Sequence, residues 1–174
     1  MAPEIEIRPS RETDLESLTD AINSVCREKW YLATVEGFSL DQTQAFFKRI
    51  IENAWPQIVA VDNGGVAGWC DIIPSTKTGF KHVGHLGMGV RREYRRRGLG
   101  RRLLEACLSR ATAAGIERVE LEVFSDNAAA IGLYESHGFR LEGVKVGARK
   151  LAGRCQDIHL MALSLTGPTG GRGA

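Results

Sequence analysis

No stretch of this sequence approaches the roughly 20 consecutive apolar residues that a membrane-spanning helix needs. The start, Met1-Ala2-Pro3-Glu4, lacks the basic-then-apolar pattern of a signal peptide. A cytoplasmic protein with no membrane partner is therefore expected. Cysteine is scarce as well. Cys26, Cys70, Cys107 and Cys155 are widely scattered and form no Cys-x-x-Cys pair, so neither a disulfide scaffold nor a zinc site is indicated. His82 and His85 are the nearest thing to a metal pair, but in a strand their odd separation sends them to opposite faces, so no metal is expected. There is no internal repeat and no linker that would divide the chain. The 174 residues read as one domain over 1–165, long enough for a full hydrophobic core, followed by a Gly-rich tail at 166–174 expected to be disordered.

What is present is concentrated. The net charge is +2, yet residues 91–102 hold seven arginines and one glutamate, or +6, which leaves −4 for the remainder. A protein that reads nucleic acid through a broad basic face would not be acidic elsewhere, so no nucleic-acid partner is expected. A compact polyanion fits better. The arginines are interrupted by glycines in Arg95-Arg96-Arg97-Gly98-Leu99-Gly100. Before them runs the strand-like His85-Leu86-Gly87-Met88-Gly89-Val90. After them Leu99, Leu103, Leu104, Cys107, Leu108 and Ala111 recur three and four apart, as on one face of a helix. A strand, a glycine-bearing basic loop and a helix aim backbone N–H groups and a positive helix end at phosphate. A solvated arginine-rich helix start is the plain alternative.

The rest of the chain can be punctuated in the same way. Ile5 and Ile7 alternate with charged residues in a strand ended by Pro9. Leu15, Leu18, Ile22 and Val25 mark a helix whose acidic first turn, Glu12 and Asp14, suits the helix dipole. Residues 29–40 are aromatic without a clean period. Asp41 is the expected cap of a second helix carrying Phe46, Phe47, Ile50 and Ile51. Gln57–Val61 and Val66–Ile73 read as strands joined through Asn63-Gly64, a hairpin signal because both turn positions need positive φ. A strand over Phe80–Val90, a helix ending at Gly115 and a strand around Val119, Leu121 and Val123 follow. Ser125 or Asp126 is expected to cap a short helix through Tyr134, and Gly138 to end it. Two last strands, Phe139–Val146 and Asp157–Leu165, flank a polar loop. The order β-α-α-β-β-β-α-β-α-β-β implies an α+β fold with a mixed sheet and helices on its faces.

The segment from Val90 to Leu104 resembles the acetyl-CoA-binding motif of the GCN5-related N-acetyltransferase (GNAT) superfamily, an apolar strand end followed by Gln/Arg-x-x-Gly-x-Gly/Ala. Arg95, Gly98 and Gly100 match it. Asn127, Ala130, Tyr134, Gly138 and Phe139 match a second signature of that family, Asn-x-x-Ala-x-x-x-Tyr-x-x-x-Gly-Phe. Two motifs joined by the expected helix and strand are far more specific than either alone. The resemblance implies a central twisted mixed sheet of about six to seven strands flanked by about four helices, with acetyl-CoA as cosubstrate.

It also implies roles. Backbone N–H groups from Arg95 through Gly100 would cradle the pyrophosphate, while Arg95, Arg96, Arg97 and Arg101 attract phosphate, the 3′-phosphate included. Met88 and Val90 would line the pantetheine arm through backbone hydrogen bonds, and Gly87 and Gly89 would allow close approach or relieve crowding. Asn127 resembles the family's cofactor-contacting asparagine, although it could equally cap its helix. Tyr134 is the candidate general acid, since a phenol of pKa near ~10 can protonate a departing thiolate whose thiol has a pKa near ~8.5. A packed core aromatic is its alternative. For the base, His85 is the first choice, with His82, Glu36 and Glu122 as further candidates.

The expected activity is acetyl transfer from acetyl-CoA to a primary amine, a small amine or amino acid, by direct attack in a ternary complex without an acyl-enzyme. Cys107, on the apolar face of its helix, would be a poor nucleophile. A protein N-terminal or lysine acetyltransferase and a non-catalytic acyl-CoA sensor remain open. Trp30, Tyr31 and Phe38 are candidates for an apolar acceptor pocket. A homodimer is compatible with the family but not indicated by any residue.

Overall fold

The computed structural model describes residues 5–167. Past Gly167 the expected disordered tail lies outside the described residues. Seven strands and four α-helices appear in the expected order: β1 Glu6–Pro9, α1 Leu15–Arg27, α2 Leu40–Glu52, β2 Gln57–Asp62, β3 Gly65–Pro74, β4 Val83–Val90, α3 Leu99–Ala113, β5 Arg118–Phe124, α4 Ala128–Ser136, β6 Arg140–Leu151 and β7 Arg154–Ser164. The strands hydrogen-bond in the order β1-β2-β3-β4-β5-β7-β6. β4 and β5 run parallel, whereas β1/β2, β2/β3, β5/β7 and β6/β7 are antiparallel. No helix among the described residues is long and apolar enough to cross a membrane.

The chain divides into two compact units. The first comprises the residues up to Ile73 together with Leu86–Ala114. Its core joins Leu18, Ala21 and Val25 of α1 and Phe47 of α2 to Val59, Val61, Val66 and Trp69 of the β2–β3 hairpin. Asn63 and Gly64 turn that hairpin at φ of 48° and 81°. The second unit comprises Pro74–His85 and the residues from Gly115 on. In it the inward residues of β5, Val119, Leu121 and Val123, are buried, as are Phe139 and Met161.

Several expected boundaries shift for identifiable reasons. Ser39, not Asp41, caps α2: its Oγ accepts the Gln42 N–H at 3.2 Å while Gln42 Oε1 accepts the Ser39 N–H at 2.9 Å. Asn127, not Ser125 or Asp126, caps α4 by accepting the Ala130 N–H at 3.2 Å. Asp126 is occupied instead by Gln156 and Arg154. The strand expected from Phe80 begins at Val83, because Thr78–Phe80 form a 3-10 turn that leaves Phe80 exposed. The polar loop expected between the last two strands is itself strand. β6 and β7 extend to a two-residue turn at Ala152-Gly153, with φ of 48° and 81°. Their polarity reflects exposure of both faces, not a loop.

Asp14 stands at the start of α1, as expected, and it also carries an ion pair. It is buried, and its carboxylate accepts from Arg8 Nη1 and Nη2 at 2.7 and 2.8 Å and from the Arg11 N–H at 2.7 Å. Burial opposes its ionisation, but the bonds from Arg8 and Arg11 outweigh it and hold the carboxyl below its ordinary value. A carboxyl whose folded pKa is depressed contributes stability above its unfolded pKa and loses it as pH falls through the folded value. Asp14→Asn should therefore cost about 3 kcal/mol at neutral pH. In urea titrations against pH, the gap between variant and parent should close below about pH 4, where the parent carboxyl protonates.

Candidate active site

The arginine loop is shaped by its backbone. Arg95 is extended, Arg96 turns left-handed at φ 60°, and Gly98 precedes α3 at φ 72°. The first N–H groups of α3 have no acceptors within the helix. A Cβ on Gly98 would meet nothing within 4 Å, so glycine is required there by conformation and not by packing.

The arginines themselves divide into two sets. Arg91 donates through Nε to Val66 O at 2.9 Å, and Arg102 to Ile5 O at 3.0 Å. Arg95 is the most engaged. Its guanidinium donates to both carboxylate oxygens of Glu28, its Nε donates to Val90 O at 2.9 Å, and it lies 4.6 Å from the Tyr31 ring centroid. Its own N–H is donated to Arg92 O at 3.3 Å, so Arg95 serves the loop chiefly as an anchor. Arg92 and Arg96 are exposed and make no ion pair among the described residues. Arg97 lies over Tyr94, and Arg101 pairs with Glu105 on the surface. Tyr94 is fixed in turn, donating to Asp62 at 2.8 Å.

The first unit also holds a cavity of about 480 Å³, a size usual for small-molecule sites. Leu32, Phe38, Phe46 and Trp69 give it apolar walls, and Gly87 and Met88 of β4 complete the lining. The segment 29–39 is held in place without regular structure. Asn23 accepts the Phe38 N–H at 2.8 Å and donates to Phe38 O at 2.9 Å, and a Cβ at Gly37, φ 87°, would overlap the Asn23 side chain. Of the expected aromatic trio only Phe38 lines the cavity; Tyr31 lies under Arg95, and Trp30 is half exposed. Gly89 has a packing reason, since a Cβ there would overlap the Trp69 ring.

One lining residue escaped the sequence reading. Asp71, on β3, is 8% exposed and is the cavity's only carboxyl among the described residues. Burial pushes it up to about 7, against the lowering effect of a hydrogen bond from Gln57. Gln57 is buried too, and its Oε1 has no partner among the described residues. The amide can thus donate to the carboxylate or, turned over, accept from the acid. The signal was available in Trp69-Cys70-Asp71-Ile72, a charged residue inside an apolar strand. Cys26 also lines the cavity, where burial pushes its thiol up. Cys107 is fully buried and donates to Cys70 O at 3.4 Å.

The second unit holds the other expected residues. Tyr134, on α4, is 6% exposed, with its ring 5.6 Å from that of Phe139. Asn127 caps the same helix. His85 is exposed, its Nδ1 3.9 Å from Glu120. His82 is exposed, and Glu122 is exposed and paired with Lys145. Glu36, in the first unit, is also exposed. Among the described residues no group of three or more metal-ligating side chains gathers.

Comparison with known proteins agrees with the two motifs. Residues 21–139 match the model of the Acetyltransferase (GNAT) family. The L-methionine sulfoximine/L-methionine sulfone acetyltransferase of Pseudomonas paraeruginosa is 29% identical over 163 residues, covering 91% of this chain and 94% of that protein. The L-amino acid N-acetyltransferase AaaT of Escherichia coli is 32% identical over 110 residues, 61% of this chain and 66% of the relative. Among solved structures, the acetyltransferase of GNAT family from Streptococcus pneumoniae superposes with a TM-score of 0.87 at 28% identity, over 93% of this chain and 100% of that one. A phosphinothricin acetyltransferase from Sinorhizobium meliloti in complex with acetyl-CoA shares the fold, with a TM-score of 0.86 at 23% identity, over 92% of this chain and 88% of that one. The chain belongs to the GNAT acetyltransferase family. Its class of chemistry is acyl-CoA-dependent N-acylation.

Gly98→Val puts a β-branched residue where φ is positive and fills the space above the loop. Calorimetry should show coenzyme A affinity reduced by an order of magnitude or more. Unchanged affinity would remove residues 95–100 from the phosphate site.

Proposed function

We propose that this protein acetylates the amine of a small molecule that occupies the cavity of the first unit, using acetyl-CoA in a ternary complex. The observation that carries this reading is that Gly87 and Met88 belong to the cavity lining. They lie on β4, the strand along which the family resemblance places the pantetheine arm. The acceptor's nitrogen and the thioester would then meet at β4. The loop from Arg95 to Gly100 would hold the pyrophosphate through backbone N–H groups, with Arg96, Arg97 and Arg101 adding attraction for phosphate. Asn127 would contribute on the cofactor side. A cavity of about 480 Å³ with apolar walls is of a size that takes a small acceptor.

The amine would attack the thioester carbonyl carbon, a tetrahedral intermediate would collapse, and the C–S bond would break with Tyr134 supplying a proton to the thiolate. No acyl-enzyme is needed. Burial keeps Cys26 protonated, and Cys107 faces the interior.

Release of coenzyme A, followed in the presence of an amine panel, should be acceptor-dependent and give intersecting initial-velocity patterns. No release with any amine, despite tight acetyl-CoA binding, would indicate a sensor instead. Tyr134→Phe should leave coenzyme A affinity nearly unchanged and reduce turnover on the order of 10²-fold. Full turnover by the folded variant would assign the tyrosine to packing against Phe139.

A further inference from the structure

The cavity sets one carboxyl in a lining that is otherwise neutral. Among the described residues that line it there is no lysine, arginine or histidine. An amino acid would bring an α-carboxylate as well as an ammonium. That carboxylate would face apolar walls and Asp71, with Thr34 and Gln42 as the side-chain hydroxyl and amide able to donate, since Thr43 Oγ1 already donates to Ser39 O. Removing an unpaired carboxylate from water beside a second carboxyl is strongly unfavourable. An ammonium on an apolar tail meets the opposite situation. Its charge finds Asp71, and its tail finds Leu32, Phe38, Phe46 and Trp69. Space is left over the carboxyl as well, because the residue opposite is Gly87, whose Cβ would stand 3.2 Å from Asp71 Oδ1.

Building on the acetyltransferase reading above, we propose that Asp71 holds the acceptor's ammonium and takes its proton, and that the acceptor is an apolar primary amine without an α-carboxylate. An arylalkyl or branched alkyl amine has this chemistry. The ammonium gives one proton to the Asp71 carboxylate, and the neutral nitrogen forms the C–N bond to the acetyl carbon. As the C–S bond breaks, the nitrogen loses a second proton and the thiolate gains one. Asp71 returns its proton to solvent, so the net products are the amide, coenzyme A and one proton. A carboxyl that titrates near neutrality because it is buried can both pair with the ammonium and accept its proton.

Matched acceptors test the class on the unaltered protein: 2-phenylethylamine against L-phenylalanine, and 3-methylbutylamine against L-leucine, each by coenzyme A release. The amines should be favoured in kcat/KM by a factor on the order of 10² or more. A preference for the amino acids would overturn the proposal while leaving the acetyltransferase reading intact. Asp71→Asn should lower kcat/KM for the amines by a similar factor and leave coenzyme A affinity unchanged. Calorimetric binding of 2-phenylethylamine to the coenzyme A complex should weaken in parallel. Undiminished activity of Asp71→Asn, with turnover lost instead in His85→Ala, would return the base to His85 and overturn the proposal. Asp71-dependent amine binding without coenzyme A release from any acceptor would uphold the ammonium site and overturn the acetyltransferase reading.

Discussion

The guanidinium of Arg95 ties together the two parts of the first unit that have no regular structure. It leaves the loop before α3, crosses to Glu28 at the end of α1, lies over Tyr31 and returns a bond to Val90 O. Each contact uses a property that lysine lacks: a planar fork for the carboxylate, a flat face for the ring and a separate Nε for the carbonyl. The segment that walls the cavity and the loop that leads into α3 are thereby held by one side chain. With Arg91 on Val66 O and Tyr94 on Asp62, the loop is anchored at three points. Its left-handed turn at Arg96 is then held by tertiary bonds, whereas Gly98 adopts its own because it has no Cβ.

The cavity depends on a second balance, between bulk and its absence. Trp69 fills the interior next to β4, and it can do so because Gly89 presents no side chain. Two residues away the same strand offers Gly87 opposite Asp71, where the missing Cβ leaves a polar gap instead of an apolar one. Alternate glycines on one strand thus have different uses, one accommodating a ring and the other keeping a carboxyl accessible. Neither position has a positive φ, so the requirement is spatial in both cases.

The element order was legible because every core element has a clear period, and Asn63-Gly64 and Gly138 are turn signals with a mechanism. The two family motifs located the loop and Tyr134 for the same reason: their spacing is local. What was not legible depended on neighbours distant in sequence. Ser39 wins the cap of α2 over Asp41 through a reciprocal bond with Gln42, and Asp126 is drawn from the α4 cap by Gln156, thirty positions away. Nothing local to the arginine loop showed that Arg95 faces inward, since its partner Glu28 is 67 positions off. Asp71 was the clearest miss. Its place in an apolar strand was visible, but its cavity is assembled from α1, α2, β3, β4 and the segment between the helices.

The distribution of thiols has a practical side. Cys26, Cys70 and Cys107 are buried, whereas Cys155 is exposed near the tip of the β6–β7 hairpin. A thiol-reactive dye or spin label should therefore attach to the native chain at a single position, with no cysteine replaced. The same accessibility gives a colorimetric thiol reagent one fast-reacting group per protein molecule, a fixed background that scales with enzyme concentration and is set apart from coenzyme A by its independence of time.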